Sequence, residues 1–248
     1  MKARKTAEPL RGRFLVIEGL DGAGTTTQTA ELGRRLAARG LPVVTTAEPS
    51  GGPVGAMIRA ILSRRLQGGL GRSFDRAALA LLFAADRLDH VASEIVPELA
   101  AGRWVLCDRY LLSSLAYQTL DLPSAFVEAV NQRAPKPDLT LFLDVPPKVA
   151  LGRRRAQRPE PEIFEELPTQ RRVAANYRKA IAEARSAGPI AVVDGTGSPA
   201  AVADDLERQI VQRFLVAKRS GPSASARRPA EPSSSLRSGP RAARRPGR

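Results

Sequence analysis

Short apolar runs alternate with longer amphipathic stretches along most of this chain. Phe14–Glu18 reads as a strand, followed by a Gly-rich turn and a helical pattern that runs to about Arg39 and is stopped by Gly40 and Pro42. Val43–Thr46 reads as a second strand. Met57-Ile58 and Ile61-Leu62 suggest a short helix. Asp75–Leu99 predicts a long helix, with Leu79, Leu82 and Phe83 at helical spacing. Trp104–Cys107, Leu139–Leu143 and Ile190–Val193 are three further strands, each followed directly by an aspartate: Asp108, Asp144 and Asp194. A helix is expected across roughly Phe164–Arg185. Val202, Leu206, Ile210 and Phe214 recur every four residues and suggest a last one. Strands separated by helices imply an α/β fold: a doubly wound, mostly parallel five-stranded sheet with helices on both faces.

The turn after the first strand carries the chemistry. Residues 18–28 read Glu-Gly-Leu-Asp-Gly-Ala-Gly-Thr-Thr-Thr-Gln. Gly19 and Gly24 fall on the two glycines of the phosphate-binding template G-x-x-x-x-G-K-[ST], and Thr26 falls on its hydroxyl residue. Thr25 stands where the lysine belongs. Backbone N–H groups and the positive end of the following helix can still cradle a phosphate, because those functions need no side chain. The mobile positive charge that lysine brings to the β- and γ-phosphates is missing. A threonine offers one neutral hydrogen bond instead, roughly half as strong as a charge-assisted one.

Composition narrows the classes. The chain has 248 residues, enough for one large α/β domain, and 43% hydrophobic content. Its longest apolar run, Ala77–Ala85, is too short to span a bilayer, and residues 1–8 do not resemble a signal peptide. One cysteine, Cys107, excludes an internal disulfide framework, and one histidine, His90, argues against a His/Cys metal site. These features fit a cytoplasmic protein without membrane partners. The net charge of +14 sits mostly at the ends: residues 218–248 carry +8, residues 1–13 carry +4, and residues 14–217 only +2. The expected organisation is a basic N-terminal extension (1–13), a folded domain (14–217) and a basic, disordered tail (218–248) rich in Ser, Pro, Ala, Gly and Arg. Nucleic-acid binding would have to come from that tail and is a secondary expectation.

Five further segments accompany the loop: Glu48-Pro49-Ser50-Gly51-Gly52 with Arg59; Leu81-Leu82-Phe83-Ala84-Ala85-Asp86-Arg87; Asp108-Arg109-Tyr110 with Ser113-Ser114-Leu115-Ala116-Tyr117-Gln118; Arg153-Arg154-Arg155 with Arg158; and Asp194 to Ser198. In this order, and with the loop, they resemble the thymidylate kinases, P-loop enzymes that phosphorylate dTMP with MgATP. The resemblance runs from about Phe14 to Phe214.

It implies the P-loop kinase fold, ATP and dTMP as partners, Mg²⁺ as cofactor and a homodimer. The loop residues Gly19, Leu20, Asp21, Gly22, Ala23, Gly24, Thr25, Thr26 and Thr27 would bind ATP, and Thr26 and Asp108 would attend the metal. Asp21 would accept from the sugar 3′-hydroxyl. Glu48 would belong to the substrate site. Pro49 and Phe83 would contact thymine, and Arg87, Ser114 and Gln118 would read it. Tyr117 would pack on the deoxyribose. Arg59 and Arg109 would hold the dTMP phosphate, as paired guanidinium donors suit, and Ser113 is a further candidate. Residues of about 152–163 would form a lid over ATP, and Asp194–Ser198 would shape the adenine pocket.

Some members of this family take a catalytic arginine from the P-loop and others from the lid. Gly22 leaves no such side chain in the loop, so the chain resembles the lid-arginine class. Arg153, Arg154, Arg155 or Arg158 would then supply the charge that Thr25 lacks, with Asp21 and Arg109 as the other catalytic candidates. Two alternatives stand beside this expectation: a nucleotide-binding homologue with weak or no kinase activity because of Thr25, or a kinase for another pyrimidine nucleoside monophosphate.

Overall fold

A computed structural model of the chain describes residues 12–157, 163–164, 166–183 and 188–216. The proposed N-terminal extension up to residue 11, Arg158, the centre of the expected lid and the tail from residue 217 lie outside the described residues.

Five strands form one sheet in the order β2-β3-β1-β4-β5, and all four pairings are parallel. They are β1 (Phe14–Gly19), β2 (Val43–Ala47), β3 (Trp104–Asp108), β4 (Leu139–Asp144) and β5 (Ile190–Asp194). All six residues of β1 are buried. A strand covered on both faces needs a continuous apolar run rather than an alternating one, and Phe14-Leu15-Val16-Ile17 supplies it. The register aligns Ile17 with Asp108, Gly19 with Leu143 and Asp144 with Asp194. The carboxyl ends of the strands therefore meet along one edge, where ligands bind in open parallel sheets.

Helix α1 (Thr25–Ala38) starts directly after Gly24, whose φ of 98° is one that side chains rarely tolerate. Helix α2 (Pro53–Leu62) has proline at its first position, where the missing N–H costs nothing. Helix α3 (Arg76–His90) is capped by Asp75, which accepts from the N–H groups of Ala77 and Ala78. The expected single helix from Asp75 to Leu99 is interrupted: α3 passes through a π-helical turn, Val91–Ile95, into α4 (Val96–Ala100). Pro97, which cannot donate a helical hydrogen bond, lies just beyond that turn.

Two short helices went unforeseen, α5 (Leu111–Gln118) and α6 (Ser124–Asn131). The arginine-rich stretch is the end of a helix, α7 (Pro147–Gln157), so residues 152–157 of the expected lid are helical. Helix α8 (Leu167–Glu183) begins three residues after Phe164, and α9 (Pro199–Ile210) is capped by the Ser198 hydroxyl.

The main core lies around β1, β3 and β4, and contains Cys107 and Tyr177. A second cluster, Ile58, Ile61 and Leu79 with Phe83 packed against it, joins α2 to α3. Among the described residues no helix is long and apolar enough to cross a membrane.

Candidate functional site

A cleft of about 1220 Å³ opens at the carboxyl edge of the sheet. Asp21, Gly22, Gly24, Thr25, Thr26 and Thr27 line one wall. Pro49, Arg59, Phe83, Arg87, Arg109 and Tyr117 line another, with Glu48, Asp108, Ser113, Ser114, Gln118 and Arg154. Most residues singled out in the sequence thus converge, although they span more than 130 positions.

Within the loop the wall is mainly backbone. Leu20 and Ala23 turn into the core, at 2% and 3% exposure, and the Ala23 amide is taken by the Leu20 carbonyl. The Gly19 carbonyl accepts from Arg109 and from Tyr177. Gly22 has a φ of 85°, and a Cβ there would meet the Ala150 carbonyl of α7 and the Arg154 Cβ. Thr25 is buried, with its methyl group near Gly19. Thr26 Oγ1 donates to Asp108 Oδ2 at 2.5 Å. The other oxygen, Asp108 Oδ1, is buried without a protein partner. Among the described residues no group of three His, Cys, Asp or Glu side chains forms a metal cage. A hydroxyl and an orphaned carboxylate oxygen do fit a cation that keeps most of its waters and binds with nucleotide phosphates.

Arg109 stands in a left-handed turn, φ 69°, just after β3. Its Nη1 donates to the Gly19 carbonyl, Ser113 Oγ and the Tyr177 hydroxyl, and its Nη2 donates to Asp21 Oδ1 at 2.7 Å. The Asp21 amide in turn bonds to the Tyr117 hydroxyl, and the Arg109 guanidinium lies over the Tyr117 ring. Burial pushes the Tyr117 and Tyr177 phenols up, so both stay protonated. Arg59 Nη1 donates to the carbonyls of Pro49 and Ser50, which ties it to the 48–52 loop.

Arg87 is 1% exposed rather than a solvated helix-face residue. Its Nε and Nη2 donate to Glu48 Oε2 at 2.9 and 2.7 Å, its Nη2 also to the Tyr110 carbonyl and Ser114 Oγ, and its Nη1 to Asn131 Oδ1. Glu48, expected in the substrate site, acts here chiefly by holding Arg87, because a buried guanidinium demands a paired carboxylate. Gln118 Nε2 reaches Ser114, and Gln118 Oε1 is buried without a partner. Asp86 fixes the neighbouring loop by accepting from the amide and hydroxyl of Ser50.

The four lid arginines separate. Arg154 lines the cleft. Arg153 instead donates to the carbonyls of Gly195 and Thr196, so its fork is spent on the loop after β5. Arg155 is exposed and does not line the cleft, because it lies one position further round the helix. Arg158 lies outside the described residues. Asp194 closes its loop by accepting from the amide and hydroxyl of Thr196.

Several contributors escaped the sequence reading. Glu18, fully buried, binds the start of α5, and Tyr177 bonds to both Glu18 and Gly19. Gln170 reaches Asp21, Asn131 holds Arg87, and Phe164 lies edge-on to Tyr117. For Glu18 a signal existed: a carboxylate ending an apolar strand must be satisfied somewhere. For Tyr177 and Asn131 there was none, since both sit in ordinary amphipathic helices.

An anion-cradling loop that faces two phosphate-suited arginines and an aromatic across one cleft defines a P-loop phosphotransferase with a small-molecule acceptor. A family model described as "Thymidylate kinase" matches residues 17–206. A "Probable thymidylate kinase" from Pyrococcus abyssi is 42% identical over 172 residues, 68% of this chain and 83% of the relative. A "Thymidylate kinase" from Rhodopseudomonas palustris is 38% identical over 223 residues, 86% of this chain and 94% of the relative. A "Probable thymidylate kinase" from Pyrobaculum aerophilum is 40% identical over 203 residues, 82% of this chain and 97% of the relative. The chain belongs to the thymidylate kinase family.

Proposed function

We propose that this chain transfers the γ-phosphoryl group of ATP to dTMP, forming dTDP, with the residue roles set out here. The observation that carries the reading is the single cleft in which the P-loop faces Arg59, Phe83, Arg87 and Arg109. The loop amides and the start of α1 hold the ATP phosphates, with Thr26 contributing its hydroxyl. Arg59 and Arg109 grip the acceptor phosphate. Pro49 and Phe83 contact the thymine ring, with Phe83 presented from the second core cluster. Arg87, locked by Glu48 and Asn131, reads the base edge together with Ser114 and Gln118. Tyr117 lies against the deoxyribose, and Asp21 faces its 3′-hydroxyl while orienting Arg109.

Thr26 and Asp108 would hold Mg²⁺, which when bound neutralises phosphate charge and orients the triphosphate. Arg154 sits over Gly22 and supplies the positive charge that Thr25 lacks. Phosphoryl transfer depends mainly on positioning and charge neutralisation, so an arginine from α7 can carry that load.

The assembly we propose is a homodimer. The outer face of α3 and its continuation expose Leu81, Ala85, Leu88, Ala92 and Val96 at helical spacing, which supports a helix-to-helix contact. The cytoplasm, where ATP and thymidine nucleotides are held, is the compartment this chemistry points to. The domain limits 14–217 remain our reading of the charge and composition breaks.

The test is ADP formation by purified protein with MgATP and dTMP, beside dUMP, UMP and CMP and beside a Thr25→Lys variant. Turnover that depends on dTMP in the unaltered protein is expected. Nucleotide binding without dTMP-dependent turnover, even in Thr25→Lys, would overturn the reading.

A further inference from the structure

Glu18 is the last residue before the P-loop glycine and is 0% exposed, yet it faces no cation directly through a hydrogen bond. Its Oε1 accepts from the amides of Tyr110 at 2.9 Å and Ser113 at 3.0 Å. Its Oε2 accepts from Ser113 Oγ at 2.5 Å and from the Tyr177 hydroxyl at 3.2 Å. Helix α5 has no capping side chain of its own: Tyr110, the residue before it, makes none. The first amides of a helix need acceptors, and a negative charge there is favourable. Glu18 meets that need from a different strand, more than ninety positions earlier in the sequence.

The contacts continue to Arg109. The Ser113 hydroxyl donates to Glu18, which leaves its lone pairs for Arg109 Nη1 at 3.1 Å. The Tyr177 hydroxyl likewise faces Glu18 and the Gly19 carbonyl on one side and Arg109 Nη1, at 3.3 Å, on the other. Arg109 itself occupies a left-handed conformation that an arginine holds only when its surroundings impose it. Its next neighbour, Tyr110, is pinned through its amide by Glu18.

We propose that Glu18 is a positioning residue for the acceptor site: it caps α5 from β1 and so fixes the turn and the two hydroxyls from which Arg109 is aimed at the acceptor phosphate. This rests on the dTMP kinase reading given above. The consequence is selective. Glu18 makes no contact with the loop amides that hold ATP, so its loss strikes dTMP rather than ATP. It also acts through Arg109, so its loss adds little once Arg109 is gone.

The experiment is calorimetric binding of dTMP, and separately of ATP, to unaltered protein, Glu18→Ala, Glu18→Gln, Arg109→Ala and the Glu18→Ala/Arg109→Ala double variant. Folding of each is checked by circular dichroism. Glu18→Ala is expected to weaken dTMP about tenfold or more and ATP less than about twofold, as the loss of a charge-assisted hydrogen-bond set implies. Glu18→Gln, which keeps an acceptor for the Tyr110 and Ser113 amides, is expected to recover most of that loss. In the Arg109→Ala background the added effect of Glu18→Ala is expected to stay below about twofold, the signature of coupled residues.

Should Glu18→Ala not fold, Glu18→Asp carries the test. Its shortened carboxylate is expected to weaken dTMP about threefold or more, with ATP unchanged, because the amides move out of reach. A folded Glu18→Ala or Glu18→Asp variant that binds dTMP as the unaltered protein does, that loses dTMP and ATP equally, or, for Glu18→Ala, that loses its full factor again without Arg109, would overturn the proposal. Unaltered protein that takes up ATP but no dTMP would instead remove the kinase reading itself, and the proposal with it.

Discussion

Gly22 and Ala150 approach so closely that a Cβ on the glycine would lie 2.1 Å from the alanine's carbonyl oxygen. The P-loop and α7 are thus in backbone contact at residue 22, where the family resemblance would otherwise allow a loop arginine. A side chain at residue 22 and α7 in this place exclude one another. In the proposed mechanism the charge near the γ-phosphate would come from α7, where Arg154 stands beside the same glycine and lines the cleft.

Gly22→Ala should therefore be more damaging than an ordinary loop substitution. It combines a disfavoured positive φ with a clash against backbone, which cannot rotate away. Expected is a fall in kcat of about tenfold or more from displacement of α7 by an ångström or so, with a loss of about 1–3 kcal/mol in stability. Steady-state kinetics and urea denaturation of the same preparation check both.

Arg154 and Arg153 should part company in kinetics. Arg154→Ala is expected to lower kcat by about a hundredfold, in the range for a stabilising donor aimed at developing charge. Arg153→Ala removes the clasp on Gly195 and Thr196 and should mainly raise KM for ATP, by about threefold, one weak contact's worth. Equal effects on kcat from the two variants would refute the assignment to Arg154.

The exposed stripe on α3 gives the assembly prediction. Leu81→Asp combined with Leu88→Asp places charge in the centre of the proposed contact, where an unpaired charge is not tolerated. Sedimentation should report a monomer for this variant and a dimer for the unaltered protein. A dimer in both would move the contact elsewhere.

Burial raises the carboxyl pKa of Glu18 above its ordinary 4.5, against the lowering effect of the Ser113 hydrogen bond and the Arg109 charge. The folded state therefore prefers the protonated form more than the unfolded state does. Stability from this group is intact below about pH 4.5 and declines as pH rises through the raised folded value. A neutral Glu18→Gln variant does not suffer that decline. Its melting temperature, relative to unaltered protein, should climb with pH and then level off. A difference constant between pH 4 and 8, by calorimetry, would show that Glu18 does not titrate this way.

Much of this arrangement is legible in the amino-acid sequence. The strands are, because β1, β3 and β4 are buried on both faces and can only be short apolar runs. The P-loop is, because its glycines mark a backbone that side chains fit badly: Gly24 has a φ of 98°, and a Cβ on Gly19 would lie 3.0 Å from the Ala23 Cβ. Arg87 was found, but its setting was not: the amphipathic pattern of α3 could not say that Glu48, Ser114 and Asn131 would close around it. Helices α5 and α6 were missed because eight residues give barely two turns of periodicity. Arg153 and Arg154 were indistinguishable because adjacent helix positions differ by about 100° of rotation, and only the packing of α7 tells which one faces the cleft.

Strand β1 is hydrogen-bonded on both sides, by β3 and β4, whereas β2 lies at the sheet's margin beside β3, and α2 is joined to α3 through the small cluster of Ile58, Ile61 and Leu79. Resistance to local opening is therefore uneven across the cleft. The amides of β1 are expected to exchange with solvent only on global unfolding, and those of β2 and α2 through smaller openings. Mild denaturant should accordingly erode discrimination of the nucleoside monophosphate first, and leave a partly loosened molecule that still grips a triphosphate.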